Sequence, residues 1–99
     1  MINVGTYIIM ILEKKKWTKT KLCEEINKIE AKLGESRTHN EDISNYLNGR
    51  WAFRPKILAK WEKALDLREG TLVKMVMPPI TKEGKEELKK TIDKIRRIK

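Results

Sequence analysis

The stretch His39–Leu65, HNEDISNYLNGRWAFRPKILAKWEKAL, decides how this chain is read. Ile43, Tyr46 and Leu47 recur at the spacing of one helix face, which predicts a short helix from Asn40 to Leu47. Asn48-Gly49 is a stop signal. Arg50–Arg54 reads as a loop, and Pro55 sits where the first turn of a helix tolerates proline. Ile57, Leu58, Trp61 and Leu65 then form the apolar stripe of a second helix. The shorter helix opens on two acids, Glu41 and Asp42, in a chain of formal net charge +9. Acids at a helix start complement its positive end. Asp42, with its short side chain, also suits a bond to first-turn amides.

Helical signals continue in both directions. Asn3 can cap a first helix that carries Tyr7 to Leu12 and ends in Lys14, Lys15 and Lys16. Thr18 can cap a second, whose Leu22, Ile26, Ile29 and Leu33 share one face. Gly34 fits its C-terminus, and residues 35–39 read as a loop. Beyond the opening stretch, Leu72, Val73 and Val76 suggest a short fifth helix. Met77-Pro78-Pro79 breaks it and forms a stiff connector. Thr81 caps a last helix with Leu88, Ile92, Ile95 and Ile98 on one side. No strand pattern competes and no repeat is visible. The expected fold is all-α: a five-helix domain over residues 1–77, then a linker and a basic amphipathic helix over 78–99.

Composition narrows the function. Ninety-nine residues suit one modest core and leave no room for a large catalytic cleft between domains. Charged residues make up 37% and the pI is near 9.8, which points to an anionic partner. The lone cysteine, Cys23, excludes an intramolecular disulfide and reads as a small core residue. One histidine and one cysteine do not make a zinc site, and no nucleophile–base arrangement or phosphate-cradling glycine loop stands out. No enzyme activity and no cofactor are expected. The apolar run Tyr7–Leu12 is far short of a membrane span and nothing reads as a signal peptide, so a cytoplasmic protein without a membrane partner is expected.

Four segments carry a resemblance. WTKTKLCEEI (Trp17–Ile26), NEDISNYLNGR (Asn40–Arg50), RPKILAKWEKALDL (Arg54–Leu67) and TLVKM (Thr71–Met75) resemble, in order and spacing, the Cro/repressor (xenobiotic-response-element type) helix-turn-helix proteins of phages and mobile elements. Thr18, Leu22 and Cys23 match the start of the family's second helix. Ile43, Ser44 and Gly49 match its recognition helix and the glycine that ends it. Arg54, Pro55, Ala64 and Leu65 match the step into the fourth helix. The resemblance covers Val4 to Met75. Two departures stand out. Lys19 replaces the usual glutamine after the threonine, which keeps a phosphate-seeking donor. The span from Leu22 to Ile43 is also longer than a tight helix-turn-helix by about ten residues. Two extra turns of helix two and a longer loop account for this, although EAKLGESR (Glu30–Arg37) offers a second alignment.

The resemblance implies sequence-specific binding of double-stranded DNA, with repression as the consequence and a homodimer as the binding form. Asn40, Glu41, Ser44 and Asn45 fall on the family's base-reading positions. Asparagine can pair with adenine, and glutamate can accept from cytosine N4. Glu41 therefore has two open readings, base contact and helix-end complement. Thr18, Lys19, Lys21, Arg37, Arg50, Arg54 and Lys56 are the candidate backbone contacts. Trp17 and Trp61 read as packing, and Trp51 as cover for the core or as a contact to a sugar–phosphate edge. Ile8, Ile11 and Trp17 face the core in the family pattern, which leaves Ile9 and Met10 on another side of helix one. Leu88, Ile92 and Ile95 of the last helix are the expected cover for them, docked either within the chain or, as the favoured version, across a two-fold axis. The alternative is a protein-interaction module on the same fold, an antitoxin or an inhibitor of another protein, which the lengthened connection would favour.

Overall fold

The computed structural model describes residues 3–76 and 81–98. They form six helices with no strand among them: α1 (Val4–Lys15), α2 (Lys19–Leu33), α3 (Asn40–Leu47), α4 (Pro55–Ala64), α5 (Val73–Val76) and α6 (Lys82–Arg96). The Met77-Pro78-Pro79 connector lies outside the described residues. No described helix is long and apolar enough to cross a membrane.

The ends of the helices follow local chemistry. Asn3 Oδ1, Thr18 Oγ1 and Thr81 Oγ1 accept from the amides of Thr6, Lys21 and Gly84, satisfying first-turn donors of α1, α2 and α6. Gly34 ends α2 in the left-handed region at φ 72°, where a side chain is disfavoured. Pro55 is the first residue of α4. At α3 the cap is partly reversed: the amide of His39, at the N-cap, donates to Asp42 Oδ2 at 3.0 Å. This is the local role expected of Asp42.

The centre of the molecule is α4. It packs against α2, α5 and α6, while α3 packs against α1 and α2. Ile8, Leu22, Ile26, Ile43, Leu58, Trp61, Leu65 and Leu72 are completely or almost completely buried. Leu12 belongs to the core as well.

The last helix decides between the two expected dockings and corrects the favoured one. Leu88 is buried in the common core of its own chain, and Ile92 and Ile95 pack against that core. Its partners are α4 and α2, so its apolar stripe is not held for docking across a two-fold axis. Ile9 and Met10, which it was expected to cover, are 38% and 48% exposed. The sequence showed that α6 needed a partner. It did not show that the broad, nearly all-round buried surface of α4 would supply one.

Candidate nucleic-acid interface

Helix α3 is held from below and open above. Its lower face carries Ile43, Tyr46 and Leu47. By helical periodicity Glu41 and Asn45 lie on the opposite arc and Ser44 on its flank, while Asn40, one turn before Ile43 and Ser44, stands at the open end of the helix. Asn40 and Glu41 are exposed, Ser44 and Asn45 half-buried. Among the described residues, none of these four side chains has a hydrogen-bond partner within the chain. All four base-reading candidates are thus accessible, Glu41, Ser44 and Asn45 along one side of α3 and Asn40 at its start.

Three sets of contacts fix α3. At its C-terminal end Tyr46 stacks on Phe53 (5.1 Å between ring centres) and meets Trp61 edge-on at 5.8 Å, and Phe53 meets Trp61 edge-on at 5.2 Å. These rings fasten α3 to α4. Close by, α1 crosses at Gly5, where an added Cβ would lie 3.3 Å from the Leu47 carbonyl oxygen. At the N-terminal end the contacts are polar and centre on Thr38. Its amide donates to Asn27 Oδ1 and Glu30 Oε1, both at 2.9 Å. Its hydroxyl donates to Glu30 Oε2 at 2.7 Å, and its carbonyl accepts from Cys23 Sγ at 3.3 Å.

The lengthened connection is explained by those last contacts. Helix α2 does run two turns further than a tight helix-turn-helix would need. The return segment 34–38 then brings the chain back to Cys23 and Asn27, in the first half of α2. Helix α3 therefore starts beside the first turns of α2, and the extra residues form an excursion. Cys23 itself is buried, and burial raises its thiol above the ordinary value. That suits the core role read from the sequence.

The basic candidates divide into two groups. Thr18 and Lys19 are exposed at the start of α2, one turn before Cys23. Arg37 is exposed just ahead of α3, and Arg50 just after it, with its amide bonded to the Asn45 carbonyl at 3.0 Å. These residues surround α3. The second group is engaged elsewhere. Lys21 pairs with Glu25 at 3.0 Å and lies over the Trp17 ring, and Lys28 pairs with the same carboxylate. The hydrogen bonds from Lys28 and Lys21 hold the Glu25 carboxyl below its ordinary value. Lys56 pairs with Glu87 of α6 at 3.2 Å. Arg54 is exposed but lines a cleft with Lys56, Gly84 and Glu87, on the α6 side. Closeness in sequence placed Lys56 and Arg54 beside α3; the direction of α4 turns them toward α6.

Trp51 is 44% exposed, so it does not seal the core. It meets Tyr46 edge-on at 5.3 Å and forms one wall of an open groove of about 330 Å³ with Asn3, Thr6, Tyr46 and Asn48. Trp17 is half-buried and packs against the core between Lys15 and Lys21, and Trp61 is buried.

Sequence reasoning missed the buried charges. Lys60 Nζ donates to Glu30 Oε2 and Glu35 Oε1, each at 3.0 Å. Glu62 accepts from the amides of Gly70, Leu72 and Val73 at 2.9, 2.6 and 2.8 Å, which satisfies the donors entering α5. The only signal for either was position: both flank Trp61 in a helix with apolar residues on either side.

Comparison with known protein families, with curated proteins and with solved structures gives no match for this chain. The resemblance to the Cro/repressor proteins therefore rests on the residues quoted for it.

Proposed function

We propose that this chain binds double-stranded DNA sequence-specifically through the exposed face of α3, as a transcriptional repressor of the Cro/repressor type. One observation carries the reading. Asn40, Glu41, Ser44 and Asn45 are accessible side chains with no partner in the chain, on a helix braced at both ends and bordered by Lys19, Arg37 and Arg50. Amide, hydroxyl and carboxylate groups on a rigid helix suit the hydrogen-bonding code of the major groove. The bordering cations suit phosphates, which set register and affinity but carry little sequence information. In this reading Asp42 serves the helix start and Glu41 faces the bases. A carboxylate among phosphates is unfavourable without a base donor, so Glu41 rejects wrong sequences as well as accepting a cytosine. Two copies on a palindromic site are the expected binding form.

The test is selection of bound fragments from a pool of random-sequence duplexes. An enriched consensus with inverted symmetry is the expected result, and recovery of fragments without any common sequence would reject the reading.

A second reading is favoured by Ile9 and Met10. Their exposure side by side on α1 has no use in DNA contact and suits a protein-interaction module. A chain of net charge +9 is held on heparin under either reading, so the two part at a selected duplex: a module of this second kind binds it no more tightly than a shuffled one.

A further inference from the structure

We infer that the buried Glu30–Thr38–Lys60 clamp sets the orientation of α3, which makes Thr38 and Lys60 positioning residues for sequence discrimination although neither lies on the exposed face. The inference rests on the DNA-binding reading for the word discrimination, and on geometry alone for orientation. In a tight helix-turn-helix the short turn fixes the angle between the two helices. Here six residues separate α2 from α3, and a free connection of that length would leave the start of α3 loosely held. The clamp replaces the missing constraint. Thr38, next to the N-cap residue of α3, has its amide, hydroxyl and carbonyl all bonded to α2. Glu30, 3% exposed, turns one oxygen to the Thr38 amide and the other to its hydroxyl and to Lys60. Lys60, 5% exposed, extends the hold to Glu35 within the returning segment and ties both to α4. One lysine thus links α2, the connection and the central helix.

Buried ion pairs of this kind are weak sources of net stability, because desolvation offsets the attraction. They do fix geometry, since an alternative arrangement leaves a charge unpaired. Groups that read bases lose discrimination when displaced by about an ångström. Loss of the clamp should therefore reach the readout more strongly than the bordering phosphate contacts, which tolerate small shifts.

The test uses the full chain with Thr38→Val, which removes one donor and keeps the shape, and Thr38→Ser, which keeps the hydroxyl. Hydrogen exchange of the α3 amides and the affinity ratio between a selected and a shuffled duplex are both measured. Thr38→Val should speed exchange across α3 and lower the affinity ratio by about tenfold, with an unchanged salt slope, and Thr38→Ser should restore both. Faster exchange with an unchanged ratio would overturn the role in discrimination. Unchanged exchange would overturn the clamp itself. If the native chain prefers no duplex, the DNA-binding reading fails, discrimination falls with it, and exchange alone still decides whether the clamp orients α3. Lys60→Met provides an independent check: exchange in α3 no faster than elsewhere in the chain would also count against the clamp.

Discussion

Glu62 and Lys60 stand on either side of Trp61, and each is buried for a different purpose. Glu62 serves three backbone amides at the entry to α5. Glu62→Ala leaves them without their acceptor in a buried place, and chemical denaturation should show a loss of about 3 kcal/mol. A loss under about 0.5 kcal/mol, the scale of an ordinary surface change, would show that the three bonds are not needed. Lys60 responds to pH. Desolvation lowers its pKa, but the hydrogen bonds and charges of Glu30 and Glu35 outweigh it and hold it above the ordinary 10.5. A group raised in the folded state contributes its stability fully below the unfolded value and loses it as pH rises through the folded one. The native chain should therefore lose melting temperature above pH 10.5 more steeply than Lys60→Arg, whose charge persists there. Parallel declines would contradict the pairing. Neither residue was legible in the sequence, because a charge inside a helical stripe carries no mark of whether a partner waits beneath it.

The helices were more legible than their contacts. Asn3, Thr18, Gly34, Pro55 and Thr81 act as punctuation through chemistry internal to a few residues, so the boundaries they mark could be read directly. The polar face of α3 was legible for the same reason: Ile43, Tyr46 and Leu47 fix the lower side, periodicity leaves Glu41, Ser44 and Asn45 off it, and Asn40 opens the helix. The return of Thr38 to Cys23 was not legible, since it depends on Glu30 and Lys60 meeting across residues far apart in the chain. Two predictions belong here. Asn40→Ala and Asn45→Ala should each weaken binding to a selected duplex by about 1–3 kcal/mol and relax one base position, while Lys19→Ala weakens all duplexes alike. Unchanged specificity in both asparagine variants would mean that α3 is not the reader. Shortening the chain to end before Thr81 should remove the cover that Leu88, Ile92 and Ile95 give to α4. A loss of about 4 kcal/mol is expected by denaturation, with no change in oligomeric mass. Unchanged stability with a halved mass would instead point to docking between chains.

For the molecule as a whole, the net charge of +9 was plain in the sequence, but its disposition was not. Acidic partners occupy Lys21, Lys28, Lys56 and Arg96, the last through a paired contact with Glu69 that holds this carboxyl below its ordinary value. Lys19, Arg37 and Arg50 border α3 without acidic partners among the described residues, and Arg54 is a fourth exposed cation near the cleft of α6. With Arg54 turned toward α6, the number of phosphate contacts per chain is then about three, fewer than the charge alone suggests. The central claim is that these charges bring a duplex to a face that reads its bases. The most direct measurement is a binding titration of a selected duplex and a shuffled one, each across a range of salt. For each chain bound, affinity for both duplexes should fall by about fortyfold between about 50 and 200 mM salt. The selected duplex should stay tighter throughout, by a factor of about a thousand or more. Two coincident curves, or affinity indifferent to salt, would contradict the account.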